Sequence, residues 1–201
     1  PYVLYGGISF YSRKEIKDVL AYFRLVVNNN DNDAFLRIIN YPARGIGQTS
    51  LDRLKIAADS MNCSLFDAAS SDSLSQFGIK SSIASTLSDF CAFIRACTVE
   101  LYNEDALTLG EKIIKRSRLK ETISEEDKAE SKDRLENVEE LISGLQSFVS
   151  LEDNSLIDEL TGEVVSLENR TLDVYLQQIS LFSDIDTKDD DKEAVSLMTI
   201  H

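Results

Sequence analysis

Apolar residues recur every three or four positions along most of this chain, and little interrupts them. Ile16, Val19, Leu20, Phe23 and Leu25 keep helical spacing, with Arg13, Lys14, Glu15, Lys17, Asp18 and Arg24 between them. Ile83, Leu87, Phe90, Ile94, Cys97 and Leu101 repeat the pattern from about Ser81 to Tyr102. Leu135, Val138, Leu141, Ile142, Leu145, Phe148 and Val149 mark a third long helix. Only two prolines and eight glycines break 201 residues, too few for a turn-rich β fold. Shorter helices are expected over Ala34–Ile39, Leu51–Met61, Leu107–Arg116 and Thr171–Leu181, and from Ser64; Ser12 is placed to cap a helix that begins at Arg13. The prediction is a mainly α chain. The exceptions lie at the ends, where Tyr2-Val3-Leu4-Tyr5 and Val195–Ile200 suit buried strands whose partners lie elsewhere. The chain therefore reads as a piece of a longer polypeptide.

One turn stands apart from this helical pattern: Tyr41-Pro42-Ala43-Arg44-Gly45-Ile46-Gly47-Gln48-Thr49-Ser50. Pro42 stops the preceding helix, because a residue before proline leaves helical geometry. Gly45 and Gly47 open backbone angles closed to other residues and carry no side chain to hold a ligand away. Ile46 can turn inward as an anchor, and Thr49 or Ser50 is the expected cap of the next helix. A helix start preceded by bare glycine backbone offers N–H groups and a positive dipole end to a phosphate oxygen. Arg37, Arg44, Arg53 and Lys55 stand around it against the single anion Asp52. The competing reading is a helix–helix turn whose glycines only permit close packing. Phe77-Gly78-Ile79-Lys80-Ser81-Ser82 repeats the theme, either as a second phosphate contact through Lys80 or as an ordinary capped helix. Lys112, Lys115, Arg116, Arg118 and Lys120 either touch phosphate or complement a helix's negative end.

The formal net charge of −14 argues against a free-standing nucleic-acid binder. The acid is concentrated in 121–140, 152–168 and 184–193, so the glycine turn has the opposite sign to its surroundings. Asp184–Lys192 reads as an acidic tether, and Thr161–Val165 as a small hairpin or a loop. No apolar run approaches the roughly 20 residues of a membrane span. Cys63, Cys91 and Cys97 lack metal-ligand spacing and suit a reducing, cytoplasmic compartment. The one histidine is His201, and no glycine-rich loop followed by Lys and Ser or Thr is present to cradle ATP. No catalytic residue and no metal ligand is assigned within this chain.

A family resemblance joins these pieces. Gly6-Gly7-Ile8-Ser9-Phe10-Tyr11-Ser12-Arg13-Lys14-Glu15-Ile16-Lys17-Asp18, with Ala21-Tyr22-Phe23-Arg24-Leu25, resembles the second motor-domain segment of UvrD/Rep/PcrA-type superfamily 1 DNA helicases. Pro42-Ala43-Arg44-Gly45-Ile46-Gly47 resembles the duplex-gripping motif of their inserted 2B accessory subdomain, and Arg134–Leu141 resembles one of its helices. Val195–His201 is similar to the opening of helicase motif V, where His201 would lie near single-stranded DNA. The resemblance implies an irregular multi-helix 2B subdomain over 30–185. It implies a stub of the second RecA-like α/β motor domain over 1–29, and a tether and the motif V strand over 186–201. It also implies a parent enzyme that uses ATP and magnesium to translocate 3′ to 5′, with the remaining motor domains as partners in cis. Expected contacts to DNA are Arg37, Arg44, Gly45, Ile46, Gly47, Gln48, Thr49, Arg53 and Lys80, with His201 on the single strand. The alternative is a protein-interaction or autoinhibitory module whose acidic surface docks a basic partner.

Overall fold

A computed structural model describes residues 2–4, 10–126, 128–150, 155–157, 164–166, 170–186 and 195–197, with side-chain surroundings for 10–126, 130–150 and 170–180. The helices are α1 (Lys14–Val27), α2 (Asn32–Ile38), α3 (Gln48–Met61), α4 (Leu65–Ala69), α5 (Ser81–Glu100), α6 (Ala106–Ser117), α7 (Leu119–Glu125), α8 (Lys128–Ser150) and α9 (Leu172–Asp186). Turns of 3-10 helix at Phe10–Ser12 and Asp72–Phe77 precede α1 and α5. The architecture is mainly α, as the spacing predicts.

Four three-residue strands are present among the described residues. β1 (Tyr2–Leu4) pairs in parallel with β4 (Val195–Leu197), Tyr2 opposite Val195. The two end runs thus lie side by side in one two-stranded sheet. β2 (Ser155–Ile157) and β3 (Val164–Ser166) pair antiparallel. The expected hairpin residues Thr161, Gly162 and Glu163 lie outside the described residues, as does His201. The expected acidic tether begins later than its charge suggests, because Asp184–Asp186 belong to α9.

The core is built around α1. Ile16, Val19, Tyr22, Phe23, Leu25 and Val26 have no exposed surface, and α2, α5, α6, α8 and α9 all pack against this helix. Helix α1 is thus the centre of the described helical body. A helix enclosed this way must bury polar residues too. Glu15 and Asp18, which stand between the apolar positions of the stripe, are 6% and 4% exposed. Asn137 on α8 donates to Glu15 Oε1 at 2.6 Å and accepts from Arg13. Arg37 on α2 lies 2.8 Å from Asp18 Oδ1. Buried charge is held where it is paired and hydrogen-bonded.

Helix starts follow two patterns. Asp31, Ser64, Ser71 and Asp105 accept from backbone N–H groups at the starts of α2, α4, the second 3-10 turn and α6. Arg13, Gly47 and Lys80 stand at the starts of α1, α3 and α5 with no side-chain cap. Ser12, Thr49 and Ser50 are thus not the caps that the sequence suggests. Helix α3 begins at Gln48, one residue before Thr49, so both hydroxyls fall inside it.

Candidate nucleic-acid interface

The turn between α2 and α3 is held from inside and open outside. Ile46 is 2% exposed and anchors it in the core. Gly45 has φ +71°, the left-handed region that glycine enters without strain. Gly47 has φ −80° and ψ 164°, extended backbone open to other residues. A Cβ placed on either glycine would meet nothing within 4 Å.

Asn40 shapes the turn by accepting from Arg44 N at 2.8 Å and Ile46 N at 3.3 Å through Oδ1. The first helical bonds of α3 run from Ser50 N and Leu51 N to Gly47 O, at 2.9 and 3.2 Å. The N–H groups of Gly45, Gly47, Gln48 and Thr49 have no acceptor among the described residues. Four amides thus gather at the positive end of a 14-residue helix, beside open space at both glycines.

The charged residues expected around this turn fall into two groups. Arg44 faces inward. Its Nη1 donates to Ile38 O, Ile39 O and Pro42 O at 2.9, 3.1 and 3.1 Å. Its Nη2 donates to the Tyr22 hydroxyl at 2.7 Å, and the guanidinium lies 4.9 Å from the centre of the Phe90 ring. Arg37 is paired with Asp18 and donates to Lys14 O at 3.2 Å. The donors of these two arginines already serve acceptors within the chain. Arg53 donates to Gly78 O, which ties α3 to the turn ahead of α5. Lys55 and Lys80 are exposed, with no side-chain partner among the described residues. The Gln48 side chain donates to Asp52 Oδ1 at 2.8 Å, which leaves its main-chain N–H as the group it offers.

The second expected contact is brought alongside the first. Gly78, at φ +74°, turns the chain into α5, and Arg53 packs where a Cβ at Gly78 would stand, 3.5 Å away. Lys80 holds the start of α5 in extended backbone without a side-chain cap. By contrast, three of the basic residues of α6 and α7 have partners within the chain. Lys112 pairs with Glu100 and Glu104 at 2.9 and 2.7 Å, Lys120 pairs with Glu139 at 2.7 Å, and Arg116 sits 5.1 Å from the Phe93 ring centre.

Sequence reasoning missed Tyr22, Asn40 and Phe90. The Tyr22 hydroxyl accepts from Arg44 and donates to Tyr41 O at 2.8 Å. Burial raises its pKa and Arg44 opposes the rise, so the proton it donates stays in place at neutral pH. A signal was present, since Tyr22 is the one hydroxyl in the stripe Val19, Tyr22, Phe23, Val26, and a buried phenol needs a partner. Tyr41 reaches away from the turn: its hydroxyl donates to Glu126 Oε1 at 3.0 Å, and Lys14 Nζ lies 4.3 Å from its ring centre. Burial and the Glu126 carboxylate both push its pKa up.

Among the described residues, His, Cys, Asp and Glu side chains nowhere gather in threes as a metal site, and no helix is long and apolar enough to cross a membrane.

The sequence matches the UvrD-like helicase C-terminal domain family over residues 1–201. It is 32% identical over 201 residues to the ATP-dependent DNA helicase PcrA of Staphylococcus aureus strain Mu50, covering all of this chain and 25% of that protein. It is 34% identical over 206 residues to the ATP-dependent DNA helicase PcrA of Bacillus subtilis strain 168, covering all of this chain and 26% of that protein. The chain thus spans about a quarter of the length of the curated relatives it matches. An open glycine turn on a helical body, together with a family match from first residue to last, places the chain in the UvrD-like helicase C-terminal domain family.

Proposed function

We propose that this chain is the 2B accessory part of an ATP-dependent DNA helicase, and that its glycine turn holds the sugar-phosphate backbone of duplex DNA ahead of the motor. The observation that carries the reading is the set of four unbonded amides, at Gly45, Gly47, Gln48 and Thr49, beside open space at the helix start. Neutral amides at a helix N-terminus hold phosphate oxygens without reading bases, as a translocating enzyme requires. Lys55 and Lys80 add positive charge that is not already paired. Arg53 holds Gly78, and with it the approach to Lys80, against α3.

The reading places the accessory body from α1 onward and assigns the remaining motor domains as partners in cis. ATP and magnesium belong to those motor domains in this reading. The described residues show no carboxylate cluster suited to the metal, and the sequence has no glycine-rich loop followed by Lys and Ser or Thr. A cytoplasmic helicase in repair, replication or recombination fits this role.

Gly47→Val in the full-length protein provides the test. The backbone angles accept valine, and a Cβ there meets nothing within 4 Å among the described residues, so the added side chain is aimed at an outside ligand. Duplex affinity and the strands separated per ATP hydrolysed are expected to fall together. Unchanged duplex binding would mean that the turn is only a connection between helices. Capture of a basic protein by the same unaffected variant would favour the docking alternative.

A further inference from the structure

Arg44 bears the charge nearest the open amides, yet its donors point the other way. Helix α2 ends two residues before Asn40 and leaves carbonyls without helical partners. Arg44 Nη1 gathers those of Ile38 and Ile39, plus that of Pro42, within 2.9 to 3.1 Å. Nη2 meets the fully buried Tyr22 on α1 at 2.7 Å, while the guanidinium face lies over Phe90 on α5. One side chain of the turn therefore grips three helices. Its own N–H is held by Asn40, which also holds Ile46 N. To reach a phosphate the guanidinium would have to abandon four acceptors, one of them a buried hydroxyl.

We propose that Arg44 is a positioning residue: with Tyr22 and Asn40 it locks the turn into the shape that aims the amides of Gly45, Gly47, Gln48 and Thr49 outward, and it does not itself touch DNA. This rests on the duplex-backbone reading of the turn. Only a planar fork can serve carbonyls on one edge, a phenol on another and a ring on its face. Lysine, a compact point charge, keeps the positive charge and loses that geometry.

The experiment is a double-mutant cycle in the full-length protein, with a blunt mixed-sequence DNA duplex as probe and affinity read across a salt series. The variants are Arg44→Lys, Gly47→Val and both together, with Arg44→Ala to remove the charge and Tyr22→Phe as a nearly isosteric second route to the same lock. Thermal melting of each follows the fold. Arg44→Lys and Tyr22→Phe are each expected to weaken duplex binding roughly tenfold, the scale of one or two hydrogen bonds lost from a buried network. The slope of log affinity against log salt should stay as in the wild type. In the Gly47→Val background, Arg44→Lys should cost far less, because both act through one turn.

Full additivity, a slope reduced by about one ion for Arg44→Ala, or wild-type affinity for Arg44→Lys would each overturn the proposal and return Arg44 to the DNA. Should Arg44→Lys melt early, Tyr22→Phe decides alone, and its wild-type affinity would likewise overturn the lock. If Gly47→Val leaves binding unchanged, the duplex-backbone reading itself fails. If Gly47→Val weakens binding and Tyr22→Phe does not, only the lock fails.

Discussion

Gly45 and Gly47 stand two residues apart for different physical reasons. Gly45 needs its φ of +71°, so Gly45→Ala should lower unfolding stability by about 1 kcal/mol. Gly47 lies in extended backbone with free space around it, and Gly47→Ala should change stability by less than about 0.5 kcal/mol. Urea unfolding of the two variants checks the contrast, and equal losses would show that Gly47 is needed for the turn itself. Gly110 is a third kind. A Cβ there would stand 2.8 Å from Leu145 Cδ1 and 3.3 Å from Phe23 Cζ, where α6 meets α8 and α1. Gly110→Ala should overpack that junction and cost about 1–3 kcal/mol in the same measurement.

Among whole elements, the long amphipathic helices were legible because their stripes are regular. Leu87, Phe90, Ile94 and Cys97 on α5 and Val138, Leu141, Leu145 and Phe148 on α8 are buried where the spacing puts them. Helix α1 was legible as a helix but not as the centre. A one-sided stripe says which face is apolar, and nothing in it says that α2 and α8 close over Glu15 and Asp18 as well. The glycine turn was legible as an open helix start, since bare backbone and a buried Ile46 follow from local residues. The inward course of Arg44 was not, because its acceptors are main-chain carbonyls, which every sequence supplies equally, and a tyrosine 22 positions earlier. The seam between α1 and α8 gives an element-scale prediction. Asn137→Ala removes the donor to Glu15 Oε1 and leaves a carboxylate 6% exposed without it, so stability should fall by about 1–3 kcal/mol. Denaturant unfolding beside Glu15→Gln tests it, because the neutral side chain should lose less when Asn137 is removed.

Over the whole molecule, acid dominates but the acids differ in their surroundings. Burial raises the pKa of Asp18 above the usual carboxylate value, and Arg37 and Lys14 only partly offset this. Its Oδ2 accepts no hydrogen bond, although Lys14 Nζ lies 3.5 Å away. Between the ordinary and the raised value, the folded protein keeps a proton that the unfolded chain has lost. The stability contributed by Asp18 is therefore complete below the ordinary value and is lost as pH rises through the raised one. The stability of the wild type relative to Asp18→Asn should decline as pH rises above the ordinary Asp value of about 4, read by urea unfolding at each pH. A relative gain over that range would mean that the ion pair with Arg37 outweighs burial. The thiols divide by burial as well. Cys91 and Cys97 are enclosed by the core, which pushes both up to about 11, while Cys63 is half-buried at the end of α3. Maleimide chemistry on this chain should consequently attach a single dye at Cys63 and spare the interior. A fluorophore could thus be mounted on this chain without engineering a new residue, ready to report by its emission whether the surroundings of that position change.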